Sequence, residues 1–314
     1  MCTSLRFCND DFYFGRNMDI DCKWGERVVI VARNYKFKFK HEENIDNHFA
    51  MIGTASVVDG YPLFADAVNE KGLCMAGLNF PKSAFYHDSI GNKKHSIAPF
   101  EIIPWVLSKC KNADEARALL SESEIVNSSF NDMPVATLHW HIADSEKSIV
   151  IEQTKSGLHI HDNPFDVLTN NPPFEWHEQN MSQYLNLTPN LPDGELNKSK
   201  DIEVFGKGAG SIGLPGDFSS ASRFVKAAYL KACSVCGESE KESVSQFFHI
   251  LDSVAVVNGS IRDTGKDYMT TYSCCTNVTK GIYYYKTYNS LGVNSICMND
   301  SNIDGDELIE FPME

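Results

Sequence analysis

The sequence has no long apolar segment near its start. Five charged side chains, those of Arg6, Asp10, Asp11, Arg16 and Asp19, interrupt its first 20 residues. A secretory signal peptide or a membrane-spanning helix needs an unbroken apolar core, so neither is expected here. We therefore expect a cytoplasmic protein that does not bind membranes.

Positive charge is also scarce. The chain carries 28 Lys and Arg against 42 Asp and Glu, which gives a formal net charge of −14. Binding to nucleic acid without sequence specificity requires clustered basic side chains, so DNA and RNA are not expected partners. A small anionic substrate is compatible with this charge, because salt screens surface charges beyond about 8 Å and local side chains decide what a pocket accepts.

Motifs that hold a metal or an organic cofactor are incomplete. Cys233 and Cys236 form a C-x-x-C, but no second pair of ligands stands at zinc-site spacing. His139 and His141 share one face of a strand pattern without a third ligand at an informative spacing. The stretch 208–213 fits G-x-G-x-x-G, yet Leu-Pro-Gly follows where a dinucleotide site needs a helix. We interpret all three as structural features and expect no cofactor.

The chain does have the composition of a globular protein with a large core. Of its 314 residues, 42% are hydrophobic and 22% are charged, which argues against extended disorder. Short segments rich in aromatic and β-branched residues predict strands, and two pairs of helical segments, around 100–122 and 219–257, separate them. This order predicts an α+β fold in which helical layers cover sheets.

No repeat or linker divides the chain, so we predict one domain over 1–314. A polar stretch with Asn, Pro and Gly clusters interrupts the series of elements between 176 and 218. Long loops of this kind usually have a function or contact another subunit.

Cysteine is the second residue, in the opening segment MCTSLRFCNDDFYFGRNMDID. A structural cysteine gains nothing at a chain end, because chain ends are usually frayed. A nucleophile gains a base, since removal of Met1 would leave a free α-amino group beside the thiol of Cys2.

A turn cluster at residues 9–11 predicts a hairpin in which the numbers of paired residues sum to about 20. Cys2 then faces residue 18, with Arg16 and Asp19 within two positions. A regular strand points Arg16 and Asp19 to opposite faces, so we expect a bulge or bend at 15–17 that brings both to Cys2.

The chemistry suits this arrangement. A free thiol has a pKa near 8.5 and an α-amine near 8, so a neutral amine can take the proton of the Cys2 thiol. Arg16 would favour the thiolate, and Asp19 would hold the ammonium group. The alternative is an ordinary edge hairpin with a solvated Arg and Asp.

Seven blocks of the sequence together resemble the choloylglycine hydrolases, which include conjugated bile salt hydrolases and penicillin V acylases. The blocks are MCTSLRF, FGRNMDI, FADAVNEKGLCMAGLNFP, TLHWHIAD, VLTNNP, GLPGDFSSASRF and KGIYYYKTY. The family belongs to the N-terminal-nucleophile hydrolases, so the resemblance implies an αββα sandwich of two antiparallel sheets between helical layers. It also implies a homotetramer, with assembly contacts from the segment around 183–215.

The resemblance further implies a polar active-site set: Cys2, Arg16, Asp19, Asn79, Asn170 and Arg223. It assigns oxyanion binding to Asn79 and a backbone N–H of Cys2 or its near neighbours, and support of the nucleophile and its amine to Asn170. Taken alone, each asparagine is equally well a turn cap. Arg223 lies in the first turns of a predicted helix, where the helix dipole disfavours a cation, so a carboxylate partner or a catalytic role would explain it better than surface exposure.

The substrate also follows from the resemblance. Asn79 in GLNFP is similar to the bile salt hydrolases, whereas penicillin V acylases tend to carry an aromatic residue there. We expect Asn79, Met18 and Ala65 to contact the substrate. Met18 and Ala65 would form an apolar wall for the sterol. The predicted reaction is hydrolysis of the amide joining a bile acid to glycine or taurine, without a metal or organic cofactor. Two alternatives remain: an acylase acting on penicillin V or another N-acyl amide, and a non-catalytic sterol-binding protein.

Overall fold

The computed structural model of the protein describes residues 1–192, 194, 202 and 204–313. The strands found there are β1 (Cys2–Asn9), β2 (Asp11–Ile20), β3 (Glu26–Val31), β4 (Met51–Val58), β5 (Tyr61–Asn69), β6 (Cys74–Asn79), β7 (His95–Ile97), β8 (Ser123–Ile125), β9 (Leu138–Ala143), β10 (Ser148–Thr154), β11 (Gly157–Asp162), β12 (Val167–Leu168), β13 (Ile261–Asp263), β14 (Lys266–Asn277), β15 (Ile282–Thr287), β16 (Ser290–Cys297) and β17 (Leu308–Pro312). The α-helices are α1 (Ile102–Lys109), α2 (Ala113–Ser121), α3 (Phe174–Asn180), α4 (Ser220–Ala232) and α5 (Glu240–Asp252), and short 3-10 helices span Met181–Tyr184, Ala209–Ser211 and Met298–Asp300.

Most strands belong to two antiparallel sheets. The first sheet has the order β12-β1-β2-β14-β15-β16, and the short β13 pairs with β14. The second sheet has the order β11-β10-β9-β6-β5-β4-β3-β17. Strands from late in the chain enter both sheets, since β14 pairs with β2 and β17 pairs with β3.

Helices cover the outer face of each sheet. Helices α4 and α5 pack on the first sheet, and α1 and α2 pack on the second. One apolar cluster fills the space between the sheets and beneath α4 and α5, with Phe14 and Phe247 among its members. A second cluster lies under α1, around Trp105 and Trp140. These four layers confirm the predicted α+β sandwich.

Local sequence explains where the helices begin. Asn112, the N-cap of α2, accepts a hydrogen bond from the backbone N–H of Glu115 at 2.9 Å. Ser219 caps α4 by accepting from the backbone of Ser222, which fixes Arg223 in the first turns of this helix. Among the described residues, no helix is long and apolar enough to cross a membrane.

Strands β1 and β2 form the predicted hairpin. The pairs run from Asn9 with Asp11 to Cys2 with Met18, so every pair sums to 20. The bulge expected at 15–17 is wrong, because β2 pairs with β1 without a register shift. The shift lies on the other side of β2, between Thr270 and Tyr272 of β14.

The sequence predicts a loop over the polar stretch 176–218, but the stretch is not a loop throughout, because its first residues belong to α3. Its G-x-G-x-x-G segment contains the three-residue 3-10 helix Ala209–Ser211. Residues 193, 195–201 and 203 lie outside the described residues, so the predicted assembly segment around 183–215 is described only in part. In the described part, Leu185 and Ile212 are exposed.

Candidate active site

The side chain of Cys2 lies on the inner face of β1, between the two sheets. Its Sγ is 3.8 Å from Sδ of the cross-strand residue Met18, and only 3% of the residue is exposed. Ser4 shares this face and bonds His141 of the second sheet at 2.7 Å between Oγ and Nδ1. The thiol therefore faces the space between the sheets, where a substrate can be shielded from water.

Arg16 lies beside the thiol on the inner face of β2. Its Nη1 donates to the carbonyl oxygens of Ala65 at 3.0 Å and Gly77 at 2.5 Å, both on the second sheet. Its Nη2 is 3.6 Å from Sδ of Met18. These contacts hold the guanidinium in one position close to Cys2.

Arg16 is completely buried, and it remains charged. Burial alone would lower the pKa of Arg16, but the ionisable groups of Cys2, Tyr272 and Asp66 hold it above the ordinary value. A permanent cation beside a thiol favours the thiolate. The geometry thus agrees with the electrostatic role expected of Arg16.

Asp19 lies on the opposite face of β2, toward α4 and α5. Its Oδ1 accepts a hydrogen bond from Oγ1 of Thr270 at 2.6 Å. Its Oδ2 is buried and has no hydrogen-bond partner within the described chain, although Nη1 of Arg223 is 3.9 Å away. Burial raises the pKa of Asp19, and Arg223 and Thr270 oppose that rise. Oδ2 is therefore an acceptor available to a further positive group.

Met1 extends the ladder between β1 and β2. Its amino group donates to the carbonyl oxygen of Asp19 at 2.5 Å, and its own carbonyl accepts from the N–H of Asp19 at 3.0 Å. Removal of Met1 would turn the backbone nitrogen of Cys2 into an ammonium group near Asp19. No bulge is needed for this arrangement, because Arg16 flanks the sulfur on one face and Asp19 lies toward the other.

Asn170 follows β12 and contacts the start of β1. Its Oδ1 accepts hydrogen bonds from the backbone N–H of Cys2 at 2.9 Å and from Nη2 of Arg223 at 2.8 Å. Its Nδ2 donates to the carbonyl oxygen of Asn79 at 2.7 Å. One amide side chain therefore connects three of the predicted residues.

Arg223 is 1% exposed, so surface exposure does not explain it. Its Nη1 donates to the carbonyl oxygen of Cys2 and, at 2.7 Å, to Oγ1 of Thr3. Together with the nearby carboxylate of Asp19, these acceptors offset the unfavourable placement of a cation in the first turns of a helix.

Asn79 ends β6 and is the exposed member of the predicted set. Its backbone binds Asn170, and its Oδ1 accepts a long hydrogen bond of 3.5 Å from Oγ1 of Thr137. The structure thus gathers Cys2, Arg16, Asp19, Asn170 and Arg223 around the start of β1 and connects Asn79 to them through its backbone.

A cavity of about 290 Å³ opens next to Met18. Met18 and Ala65, both predicted to contact substrate, line it, whereas Asn79 is not among its lining residues. The remaining lining is mainly apolar, with Ser128 and Ser129 as its hydroxyl groups. A pocket of this kind fits a rigid apolar group held by few polar contacts.

The backbone of Asn170 is fixed by two side chains, Ser220 and His177, that the sequence analysis missed. Its N–H donates to Oγ of Ser220 at 2.8 Å, and its carbonyl oxygen contacts Nε2 of His177 at 2.9 Å. His139, interpreted as structural, contacts the carbonyl of Thr169 at 3.0 Å. Local sequence patterns carry no signal for such contacts, because the Ser220 and His139 contacts join groups far apart along the chain and the His177 contact spans the turn between β12 and α3.

Asp66 was also missed, although a signal for it exists. It lies in the middle of the otherwise mostly apolar strand YPLFADAVN, and a buried carboxylate requires partners. An isolated charge inside a strand pattern of this kind marks a position to examine.

Comparisons with known proteins cover the whole length of the chain. Residues 2–311 match the family described as "Linear amide C-N hydrolases, choloylglycine hydrolase family". The chain is 43% identical to the "Bile salt hydrolase/transferase" of Lactiplantibacillus plantarum, over 100% of this chain and 97% of that relative. A solved structure of a variant of the conjugated bile acid hydrolase from Clostridium perfringens has a TM-score of 0.92 at 38% identity, covering 100% of this chain and 97% of that one. Penicillin V acylase from Agrobacterium tumefaciens, at 18% identity and a TM-score of 0.77 over 99% and 91% of the two chains, shares the fold.

Proposed function

The chain belongs to the choloylglycine hydrolase family of linear amide C–N hydrolases, as its sequence blocks predict, and from this membership we propose that it hydrolyses the amide joining a bile acid to glycine or taurine. The observation that carries the proposal is the placement of the buried Cys2 thiol. Its Sγ and the guanidinium of Arg16 both contact Sδ of Met18, and Met18 lines an apolar cavity. Relatives named for bile salt hydrolysis match over nearly their entire length.

The first step is removal of Met1, which frees the α-amine of Cys2. The new ammonium group keeps Asn170 Oδ1 as a hydrogen-bond acceptor, and the unpartnered Oδ2 of Asp19 is available as a second. In its neutral form this amine takes the thiol proton, and Arg16 stabilises the thiolate.

The thiolate then attacks the amide carbonyl carbon. A carbon–sulfur bond forms, and the carbonyl oxygen becomes an oxyanion that accepts hydrogen bonds from the side chain of Asn79 and a backbone N–H. Each such donor is often worth about 3 kcal/mol in the transition state. Asn170 and Arg223 hold the start of β1 in place during the attack.

Collapse of the intermediate breaks the carbon–nitrogen bond. The α-ammonium of Cys2 gives its proton to the departing nitrogen of glycine or taurine, which leaves a thioester between Cys2 and the bile acid. The neutral amine next removes a proton from water, and the resulting attack releases the free bile acid and restores the thiol. This sequence needs no metal or organic cofactor.

The proposal also includes the cellular location, the domain organisation and the oligomeric state. We propose that the protein acts in the cytoplasm, as one domain over residues 1–314, and that it forms a homotetramer through the segment around 183–215. The exposed apolar side chains of Leu185 and Ile212 support an assembly role for this segment, because large apolar groups at a surface favour association. Size-exclusion chromatography with light scattering would test the tetramer.

Hydrolysis of glycine-conjugated cholate and of penicillin V by the same preparation tests the reaction. We expect faster release of glycine than of the penicillin V acyl group. Cys2→Ser should lower turnover about 1,000-fold or more, whereas Cys8→Ser, an exposed thiol on the same strand, should leave it unchanged.

Three results would contradict the proposal. Faster cleavage of penicillin V would favour the acylase alternative. Binding of cholate without cleavage of either compound would favour a sterol-binding protein. Full turnover by the Cys2→Ser protein would remove the assigned nucleophile.

A further inference from the structure

Asp66 is a buried carboxylate that the proposed reaction does not use. It lies in β5 of the second sheet and is 3% exposed. The hydroxyl groups of Tyr272 and Tyr283 donate to its Oδ2 and Oδ1, each at 2.7 Å. Sγ of Cys274 lies 3.6 Å from Oδ1. These partners belong to β14 and β15, so Asp66 points across the space between the sheets toward the first sheet.

The backbone next to Asp66 binds Arg16. The register between β4 and β5 shifts so that Thr54 pairs with Asp66 and Ala55 with Phe64, which leaves Ala65 as an extra residue. Such a bulge changes where neighbouring groups point. The carbonyl oxygen of Ala65 accepts from Nη1 of Arg16 at 3.0 Å.

The first sheet brings Arg16 close to the same carboxylate. Arg16 pairs directly with Cys274 on β14, and Cys274 contacts Asp66. Both sheets therefore connect Arg16 with Asp66, although the hydrogen bonds of Arg16 in the described part of the chain go to neutral acceptors.

A fully buried guanidinium needs compensating negative charge. The Cys2 thiolate supplies it only after the thiol has ionised. Asp66 supplies it before then, and it is one of the groups that hold the pKa of Arg16 above its ordinary value against burial. Burial, together with the Asp66 charge, raises the pKa of Tyr272 and Tyr283, so both remain protonated donors to the carboxylate.

We propose that Asp66 is a positioning residue that sets the acidity of the Cys2 nucleophile by balancing the charge of Arg16. The inference rests on the proposed function only in taking Cys2 as the nucleophile. The Asp66 carboxylate reduces the positive potential at the thiol, and the two tyrosine hydroxyls partly neutralise that carboxylate. The other charged groups around the start of β1 are Arg223 of α4, Asp19 on the outer face of β2 and the amino group of Met1.

The variant Asp66→Asn removes the negative charge while keeping the shape of the side chain. Loss of one nearby negative charge should lower the pH midpoint of Cys2 reactivity by about 1 unit. The thiol and the α-ammonium of Cys2 both lose a proton more readily when a negative charge is removed. The direction is therefore the same whichever of the two groups governs the reaction.

The variant Tyr283→Phe should act in the opposite direction. It removes a hydrogen-bond donor from the Asp66 carboxylate, so less of the carboxylate's negative charge is screened from the thiol and the midpoint should rise. Tyr284→Phe is the matched control, because the neighbouring hydroxyl donates to Glu240 at 3.0 Å instead. Its midpoint should equal that of the unmodified protein.

The measurement is the rate of alkylation by iodoacetamide as a function of pH, without substrate. Trypsin yields the peptide of residues 2–6, in which Cys2 is the single cysteine, and the peptide of residues 7–16, in which Cys8 is the single cysteine and serves as internal control. Mass spectrometry of both peptides gives the two midpoints in one digest.

Opposite shifts in the Asp66→Asn and Tyr283→Phe proteins, with Cys8 and Tyr284→Phe unmoved, would support the proposal. A folded Asp66→Asn protein with an unchanged or raised midpoint would overturn it. If Asp66→Asn does not fold, Tyr283→Phe decides, and an unmoved midpoint there overturns the proposal. Alkylation needs no bile acid, so these results stand apart from any failure to hydrolyse conjugated bile acids.

Discussion

Asn170 has a central place among the single residues of the site. Its carboxamide oxygen accepts from the nitrogen of Cys2 and from Arg223, and its carboxamide nitrogen donates to Asn79. Because the nitrogen of Cys2 becomes the base of the proposed reaction, a displaced Asn170 would misplace both the base and the nucleophile.

Asn170→Ala should therefore reduce kcat about 100-fold. Hydrogen bonds to charged groups contribute about 1.5–3 kcal/mol, and 3 kcal/mol corresponds to roughly that factor. Steady-state hydrolysis of glycine-conjugated cholate measures the effect. Asn171→Ala is the control, because the adjacent side chain bonds Ser83. Equal losses in both variants would contradict the assigned role.

The buried imidazole of His177 should make the free energy of unfolding depend on pH. It is completely buried against Asn170, and burial lowers its pKa to about 4. Near pH 5 the unfolded chain carries a proton on this imidazole and the folded protein does not, so acid favours unfolding. Its contribution to stability is present above pH 6.5 and is lost as the pH falls toward 4.

The free energy of unfolding should accordingly fall by about 2 kcal/mol between pH 7 and pH 5 through His177 alone. Urea denaturation of His177→Gln at the two pH values should show a decrease that is smaller by this amount. His87→Gln changes an exposed histidine and should keep the full decrease. The same decrease in both variants would be inconsistent with a neutral buried His177.

At the scale of elements, the hairpin of β1 and β2 depends on close approach by β14. A Cβ atom on Gly15 would lie 2.0 Å from the carbonyl oxygen of Cys274. Glycine at this position lets β14 pair beside Arg16, which is the next residue of β2.

Gly15→Ala should lower the free energy of unfolding by about 1–3 kcal/mol, the usual cost of forcing extra volume into a packed region. Thermal and urea denaturation measure it. Gly216→Ala adds the same methyl group where no atom lies within 4 Å and should change stability by about 0.5 kcal/mol or less. A tolerated Gly15→Ala would show that β14 moves away without cost.

Sequence patterns predicted elements made of neighbouring residues better than contacts between distant ones. The hairpin register follows from local turn chemistry, and it is confirmed. The bulge expected near Gly15 is wrong, because Arg16 and Asp19 act from opposite faces of a regular strand, Arg16 beside Met18 and the thiol and Asp19 beside Thr270. The Ala65 bulge and the tyrosine partners of Asp66 depend on pairing between strands far apart in sequence, which no local pattern reports.

At the scale of the whole molecule, strands of both sheets and residues of the segment 128–136 line an apolar cavity beside a charged site. The cavity reaches Gly77 and Ala65, whose carbonyls hold Arg16. A bile acid in this cavity would place its apolar rings between the sheets and its amide toward Cys2.

Ala65→Phe should fill part of this cavity and raise KM for glycine-conjugated cholate about tenfold or more, since lost complementarity to an apolar group costs about 1–3 kcal/mol. Ala118→Phe places the same ring on the exposed face of α2 and should leave KM unchanged. An unaltered KM in the Ala65→Phe protein would mean that the sterol binds elsewhere.

The most direct test of the account is the mass of the N-terminal tryptic peptide during turnover. Protein hydrolysing glycine-conjugated cholate is quenched in acid, digested and analysed by mass spectrometry. We predict a peptide of residues 2–6 without Met1, part of it carrying the mass of a cholyl thioester on Cys2. Fully active protein whose peptide still begins with Met1, or a cholyl group found only on another residue, would contradict the central claim.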